Sequence, residues 1–548
     1  MLALACASSP AEGQRIAGHG DDAIQLPKGS WRVRIGGRWD IAADEFTAGG
    51  RRSMGDRLRR DSLGVETLPT LAAAEALARR MTGLSALSLS VGQLDARLTQ
   101  RGIQLPMAVE VGLTRRLAIG VVVPYIETRA LPDLQLNPTS ETGAFGPNPA
   151  RLTGFNAAAT NNTRTLTTAL QTARGTLVQR LADCTRDATS NPSCGTILAE
   201  RATVDAIIAA SAVVREDVRA LYGEAVGTGA PVVPVSGSTL DRLIGVRLRG
   251  LGKDFTRYGI ETVLTGLSPS AARSRYGTGG LQSLLRDTAF GIRNDSLRSV
   301  RRYGIGDVDV TASLLLIDQI TGANRRPLAR FDQATRFAVR SLVEGGWRFG
   351  SAGADRPADP FDIPVGVGAP ALLVRSSTDI LWSARSWVSV TARAVLPQAD
   401  PVVARVLRSA DDIFPVEATT STLERTVGRS IDLEIAPRHA LSQTLGVSAL
   451  WTWRSRSANR YRRLDSLSTT ATTTSLSLDA MNQGTATQQQ RVAVGVTYST
   501  LAPFARGRSK HAVELLYEHS EPITGSTGLA ATAWDRFEVR WYPGYARR

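Results

Sequence analysis

A chain of 548 residues with 43% hydrophobic content has room for several soluble domains or for one large barrel carrying insertions. A mean hydropathy of -0.09, with no run near the roughly 20 apolar residues of a spanning helix, excludes a helical membrane protein but not a barrel, whose strands turn alternate residues to lipid. The net charge of +15 is almost all arginine, since the only lysines are Lys28, Lys253 and Lys510; these arginines are scattered among Asp and Glu without clustered aromatics, so no nucleic-acid partner is expected.

Residues 1–7 read as a signal-peptide remnant with a small-x-small pattern at Ala5, Cys6 and Ala7, Cys6 being either removed with it or lipidated. Strict alternation begins at Trp31. Trp31, Val33, Ile35, Trp39 and Ile41 share one face, and Arg32, Arg34, Arg38 and Asp40 the other. The run has the length of a spanning strand, about 9–11 residues, and exceeds the usual soluble strand. A hairpin follows, with Met107, Val109, Val111 and Leu113 rising to Thr114-Arg115-Arg116 and Leu117, Ile119, Val121, Val123 and Tyr125 leaving it. Residues 84–97 extend its first arm or add a strand.

Between about 156 and 222 the period turns helical, through Leu166, Leu170, Ala173, Leu177 and Leu181, then Ile197, Val204, Ile208, Val214, Val218 and Leu221. This spacing predicts a helical hairpin. Cys184 and Cys194 stand at its tip, as a disulfide of an oxidising compartment or as two buried thiols. By the alternation of turns the hairpin leaves from the long-loop side. Further helical stretches near 54–81 and 281–300 read as parts of other long loops.

From about 304 the two-residue period is regular to the end, with strands expected near 304, 334, 369, 384, 429, 443, 489, 510 and 534. Short links follow Leu113, Ile380, Pro437 and Leu501; long ones follow Tyr125, Phe349, Leu396, Trp453 and Tyr517. Short turns at one end and long loops at the other are the asymmetry of an outer-membrane barrel. The link after Ile317 is too long for its end, and residues 464–490, rich in Ser, Thr and Gln, read as a solvated loop. The predicted fold class is therefore all-β: an antiparallel transmembrane β-barrel of about 12 strands, within a range of about 10–16, with an inserted α-helical hairpin. Residues 8–129 carry the first strands, 130–300 the insertion and 301–548 the remaining strands. An even strand number puts both barrel ends of the chain on the periplasmic side.

The polar face of these strands is mixed in charge. Arg32, Arg34, Asp307, Asp309, Arg340, Glu344, Arg375, Arg393, Asp432, Glu434, Glu514, Glu538 and Arg540 are the candidate lumen-facing residues. Charges of both signs brace a wall across strands or line a water-filled path, and the narrow or occluded lumen is the favoured form. Most tryptophans fall near strand ends, as an aromatic girdle does; a buried core is the competing reading.

No catalytic, cofactor-binding or metal-binding residue is expected. His19, His439, His511 and His519 lack metal spacing with Cys, Asp or Glu. A barrel hydrolase would need a Ser beside His511 or His519. Gly304-Ile305-Gly306 lacks the helix that a phosphate cradle requires.

Two motifs carry a family resemblance. Gly112-Leu113-Thr114-Arg115-Arg116-Leu117-Ala118-Ile119-Gly120-Val121-Val122-Val123-Pro124-Tyr125 and Tyr303-Gly304-Ile305-Gly306-Asp307-Val308-Asp309-Val310 resemble segments of the outer-membrane proteins associated with the meta-pathway of phenol degradation, themselves loosely similar to long-chain fatty-acid transporters. The resemblance implies an outer-membrane barrel and a conduit for small solutes, hydrophobic or aromatic ones among them. It implies outer-membrane lipid and the barrel-assembly machinery as partners. The chain differs from that group in its helical insertion and in ending at Tyr545-Ala546-Arg547-Arg548 rather than on the terminal aromatic that the assembly machinery recognises. A surface barrel that only displays the insertion is the alternative function.

Overall fold

The computed structural model of the chain describes residues 23–137, 143–152, 158–261, 263–293, 299–319, 337–353, 356–359, 361–383, 385–410, 412–464, 476–505 and 507–543. The signal-peptide remnant with Cys6, His19, most of the long link after Ile317, the middle of the Ser/Thr loop and the final Tyr545–Arg548 lie outside them.

Twelve antiparallel strands form one closed ring: β1 Trp31–Ala42, β2 Leu94–Gly112, β3 Leu117–Leu136, β4 Val300–Ile305 continuing as Val308–Asp318, β5 Ala338–Phe349 and β6 Ala371–Leu381, then β7 Ser386–Pro397, β8 Ser430–Ala440, β9 Leu445–Arg456, β10 Thr487–Ser499, β11 Val513–Gly525 and β12 Ala533–Trp541. Neighbours in sequence pair, β2 with β3 included, and the pairing of β12 with β1 closes the ring. The wall is turned inside out relative to a soluble protein. On β1, Trp31 is 47% and Ile35 55% exposed while Arg34 between them is 4% exposed, and on β12 Glu538 is 1% exposed. The same inversion recurs at Val310, Leu372, Val374, Ile431, Val494 and Phe537, all exposed, against Asp309, Arg340, Asp379, Asp432, Glu434 and Arg536, all buried. Exposed apolar side chains in a continuous band with the charges inside are the solvent preference of a membrane-spanning barrel.

Two strands are longer than their alternation announced. β2 has 19 residues and β3 has 20, some 60 Å of extended chain against a hydrocarbon core of about 30 Å. Beyond Tyr125 the outward face turns polar, through Glu127, Arg129 and Asp133, so an apolar/polar rule ends the strand too early there. Residues 84–93 form no strand. The loop expected after Tyr517 shrinks to 526–532, because β11 runs on to Gly525. β4 is broken at Gly306-Asp307, where the buried Asp307 carboxylate accepts backbone N–H bonds from Ala352, Val367 and Gly368 at 3.0–3.2 Å.

A strap crosses the inside of the ring. The Ala23 backbone N–H donates to Asp379 Oδ2 of β6 at 3.1 Å, and the Ser313 hydroxyl of β4 donates to Gln25 Oε1 at 3.2 Å. Ile24 and Leu26 are buried with Leu501, Phe504, Ala512 and Tyr542. At its far end the Gly29 N–H reaches the Gly112 carbonyl of β2 at 2.7 Å. Gly112 is needed for this approach, since a Cβ there would stand 2.1 Å from the Pro27 carbonyl oxygen.

The described chain falls into two compact units. Met1–Arg57, Arg97–Asp133 and Asn294–Arg548 make the barrel, and Leu58–Ala96 with Leu134–Arg293 make the second unit. The second unit is mainly helical: α1 Ala72–Thr82, α2 Ala158–Arg186, α3 Cys194–Ala199, α4 Arg201–Tyr222 and α5 Thr239–Arg257. Val204, Ile207, Ser211, Val214, Val218 and Leu221 of α4 are buried at 3–4 spacing against Leu166, Leu170 and Leu177 of α2, the expected hairpin. Arg80 of α1 pairs with Asp217 of α4 at 2.7 Å. Glu200 accepts from the Tyr258 hydroxyl at 2.7 Å and from Arg257; these bonds hold its carboxyl below the usual range. Cys184 and Cys194 form a disulfide. Replacing both by Ser lowers the stability of this unit by about 2–3 kcal/mol by loop-closure entropy. A helical circular-dichroism melt whose midpoint does not fall in the double variant would refute that contribution.

Candidate functional site: the charged inner wall

Because side chains on a strand alternate, every second residue of the ring faces inward, and many of these positions are charged. Arg32 of β1 donates through Nε to Glu110 of β2 at 2.9 Å, and Arg34 donates to Glu538 of β12 at 3.0 Å. Glu538 also accepts from Arg540 at 2.6 Å and from Arg536. Glu514 of β11 accepts from the Tyr542 hydroxyl at 2.6 Å and lies 4.0 Å from Arg540. This cluster belongs to the end of the barrel where the strap meets Gly112 and where β12 ends.

A second set runs round the remaining strands. Arg348 of β5 grips Asp309 of β4 with two bonds of 2.7 Å, the bidentate fork that makes an arginine pair specific in geometry. Arg340 meets Asp318 at 3.2 Å, Arg375 meets Glu344 at 2.5 Å, Arg393 meets Glu434 at 2.8 Å and Arg454 meets Asp432 at 3.0 Å. Nearly all of these pairs join adjacent strands, as cross-strand bracing requires. Twelve of the candidate residues thus enter ion pairs or charge-assisted bonds; Asp307 instead ties down loop backbone.

Several inner residues stand outside the candidate set: Glu110, Arg491, Arg536 and Trp534, while Arg38 keeps the polar face of β1 that its alternation predicts. For Arg536 and Trp534 the phase with Glu538 on the same strand is the available signal. Trp534 is the most consequential. Its ring lies 4.8 Å from the Arg38 guanidinium and 5.5 Å from that of Arg491, so two cations flank one aromatic face system inside the wall.

Three small spaces open among these side chains. One is lined by Arg38, Arg393, Arg454, Arg491 and Arg536 against Asp432 and Glu434, with Trp534 beside them. Another sets Val367, Ala369, Val395, Val427 and Leu529 against Arg348, Arg454 and Arg456. A third reaches from Arg34 and Glu110 to Arg375 and Arg393, side chains of opposite sectors of the ring. The first two are cationic by composition, and the second is half apolar.

The His519 ring pairs with Asp535 at 2.9 Å and with Glu521 at 3.4 Å, and Tyr517 donates to the same Asp535. Among the described residues no Ser reaches the ring of His511 or His519. Ser386 and His439, register partners on β7 and β8, are the Ser–His contact, at 2.8 Å.

No protein-family model and no curated protein matches the chain. Among solved structures it is similar to the COG4313 outer membrane channel from Pseudomonas putida F1, at 8% identity and a TM-score of 0.40 over 96% of this chain and 99% of that one. It is also similar to a Pseudomonas aeruginosa FadL homologue, at 8% identity and a TM-score of 0.26 over 98% of each. The Pseudomonas putida toluene transporter TodX follows at 8% identity and 0.25, over 95% of this chain and 90% of that one. The barrel architecture itself rests on the strand pairing of this chain.

Proposed function

We propose that the chain is an outer-membrane conduit for small solutes with an apolar or aromatic body and a polar, preferably anionic, end. The observation that carries this reading is the cation-rich space around Trp534 inside a closed ring whose outside is apolar. In this reading the charged residues of the inner wall brace and line the lumen, and the strap narrows it. Aromatic anions stack on the exposed part of Trp534 while Arg38 and Arg491 offset their charge. Reconstitution of the full chain in planar bilayers tests the proposal: small, anion-preferring unitary currents are expected, and a complete absence of conductance overturns it. Benzoate should block or slow the current in wild type, and Trp534→Ala should weaken that effect about tenfold. Equal block in the two proteins would remove Trp534 from the path.

The helical unit, with a core of its own around Tyr222, Phe255 and Tyr258, supports a second reading in which the 130–300 insertion is displayed and the barrel only anchors it. Persistence of conductance after deletion of the unit separates the two.

A further inference from the structure

The apolar outer face stops at a definite level on three adjacent strands. Trp39 of β1 faces Ile103 of β2, and Glu127 of β3 faces Tyr303 of β4. Two residues further out, roughly 7 Å along the strand, the same face carries Arg101, Arg129 and Arg301, all exposed. Arg129 and Arg301 are register partners. Counted back from the turn where the Leu113 N–H meets the Leu117 carbonyl at 2.9 Å, along the paired β2 and β3, Arg101 falls opposite Arg129. Three guanidiniums thus stand in one cross-strand row. Glu127 is held by Arg301 through bonds of 2.7 and 2.8 Å, which engage that fork and set one carboxylate against three guanidiniums, so the row is in cationic excess. The row is local: on the next strands the same level carries Ile41 and Ala533, followed by Glu521 on β11.

Aromatic side chains settle at the boundary between hydrocarbon and headgroups, so the step beyond Trp39 and Tyr303 lies at headgroup depth. The row is at the end of the barrel away from the 113–116 turn, in the leaflet that faces outward. Guanidinium forks match phosphate oxygens in shape and charge, and clustered arginines next to a membrane recognise anionic headgroups. We propose that Arg101, Arg129 and Arg301 form a docking site on the outer wall for the phosphate groups of the lipid of the outward leaflet, a phosphorylated glycolipid. This site needs the barrel to span the membrane but does not need it to conduct.

The test uses the full chain folded in neutral detergent, with binding read by native mass spectrometry. The probes are bis-phosphorylated lipid A and its dephosphorylated form. Wild type should bind the phosphorylated lipid at least about tenfold more tightly than the dephosphorylated one, and R101Q/R129Q/R301Q should lose about 100-fold in affinity for the phosphorylated probe. R101K/R129K/R301K, which keeps the charge and loses the forks, should fall between them. Equal binding of the two lipids by wild type, or unchanged affinity in the Gln variant, overturns the site. Should the triple variant fail to fold, the wild-type comparison and Arg129→Gln alone, with about a fivefold loss expected, decide it. Intact conductance in a variant that no longer binds lipid is the expected pattern, and conductance lost with lipid binding retained would count against the conduit instead.

Discussion

In planar bilayers, replacing Ile24 and Leu26 together by Asp raises the unitary conductance about threefold or more, because it drives the strap from its seat. Both side chains are buried against Leu501, Phe504, Ala512 and Tyr542, where a carboxylate has no partner and loses its hydration. The strap is anchored at both ends, at Asp379 and at Gly112, so expelling its middle widens the space inside the ring that it crosses. Gly112→Val gives an independent route to the same state, since its Cβ would overlap the Pro27 carbonyl. The two variants should therefore share one conductance. If both keep the wild-type value, the constriction lies among the side chains of the wall and not in the strap.

Much of the ring was legible because lipid imposes a simple rule on each strand. Trp31 to Ile41 shows it without interruption, and the expected strand positions correspond to the twelve strands of the ring. The rule fails where the chain leaves the hydrocarbon: Glu127, Arg129 and Asp133 of β3 are as regular in backbone as Val121, but no longer apolar. It fails again for the strap, since Ala23 to Leu26 has neither period and owes its place to contacts with β4, β5 and β6. The inner wall was readable as a set of charged positions but not as pairs. Partnership between Arg34 and Glu538, 504 residues apart, depends on ring closure between β12 and β1, which a local pattern does not encode. In the sequence Trp534 is one more tryptophan near a strand end, which fits a girdle as well as an inner wall; only its phase with Arg536 and Glu538 distinguishes it.

The closing seam also makes the largest stability prediction. Glu538 receives Arg34, Arg536 and Arg540 on the first and last strands, so one carboxylate serves three guanidiniums where the ring must seal. Glu538→Ala takes away that shared partner and should destabilise the folded barrel by about 3–5 kcal/mol, the cost of breaking a buried pair from one side. Glu344→Ala is the control. Glu344 meets Arg375 where both side chains are 17% exposed, so water supplies part of what is lost and the cost is nearer about 1 kcal/mol. Removing Arg34 as well as Glu538 should recover part of the deficit, because the excess positive charge falls with it. The measurement is the urea midpoint of the detergent-folded protein, followed by the shift between unboiled and boiled bands on a gel. A Glu538→Ala midpoint equal to that of Glu344→Ala would mean that the seam is held by its backbone ladder alone. A large gap between the two, partly repaired by Arg34→Ala, would mean that the charges inside the barrel close the ring as well as line it.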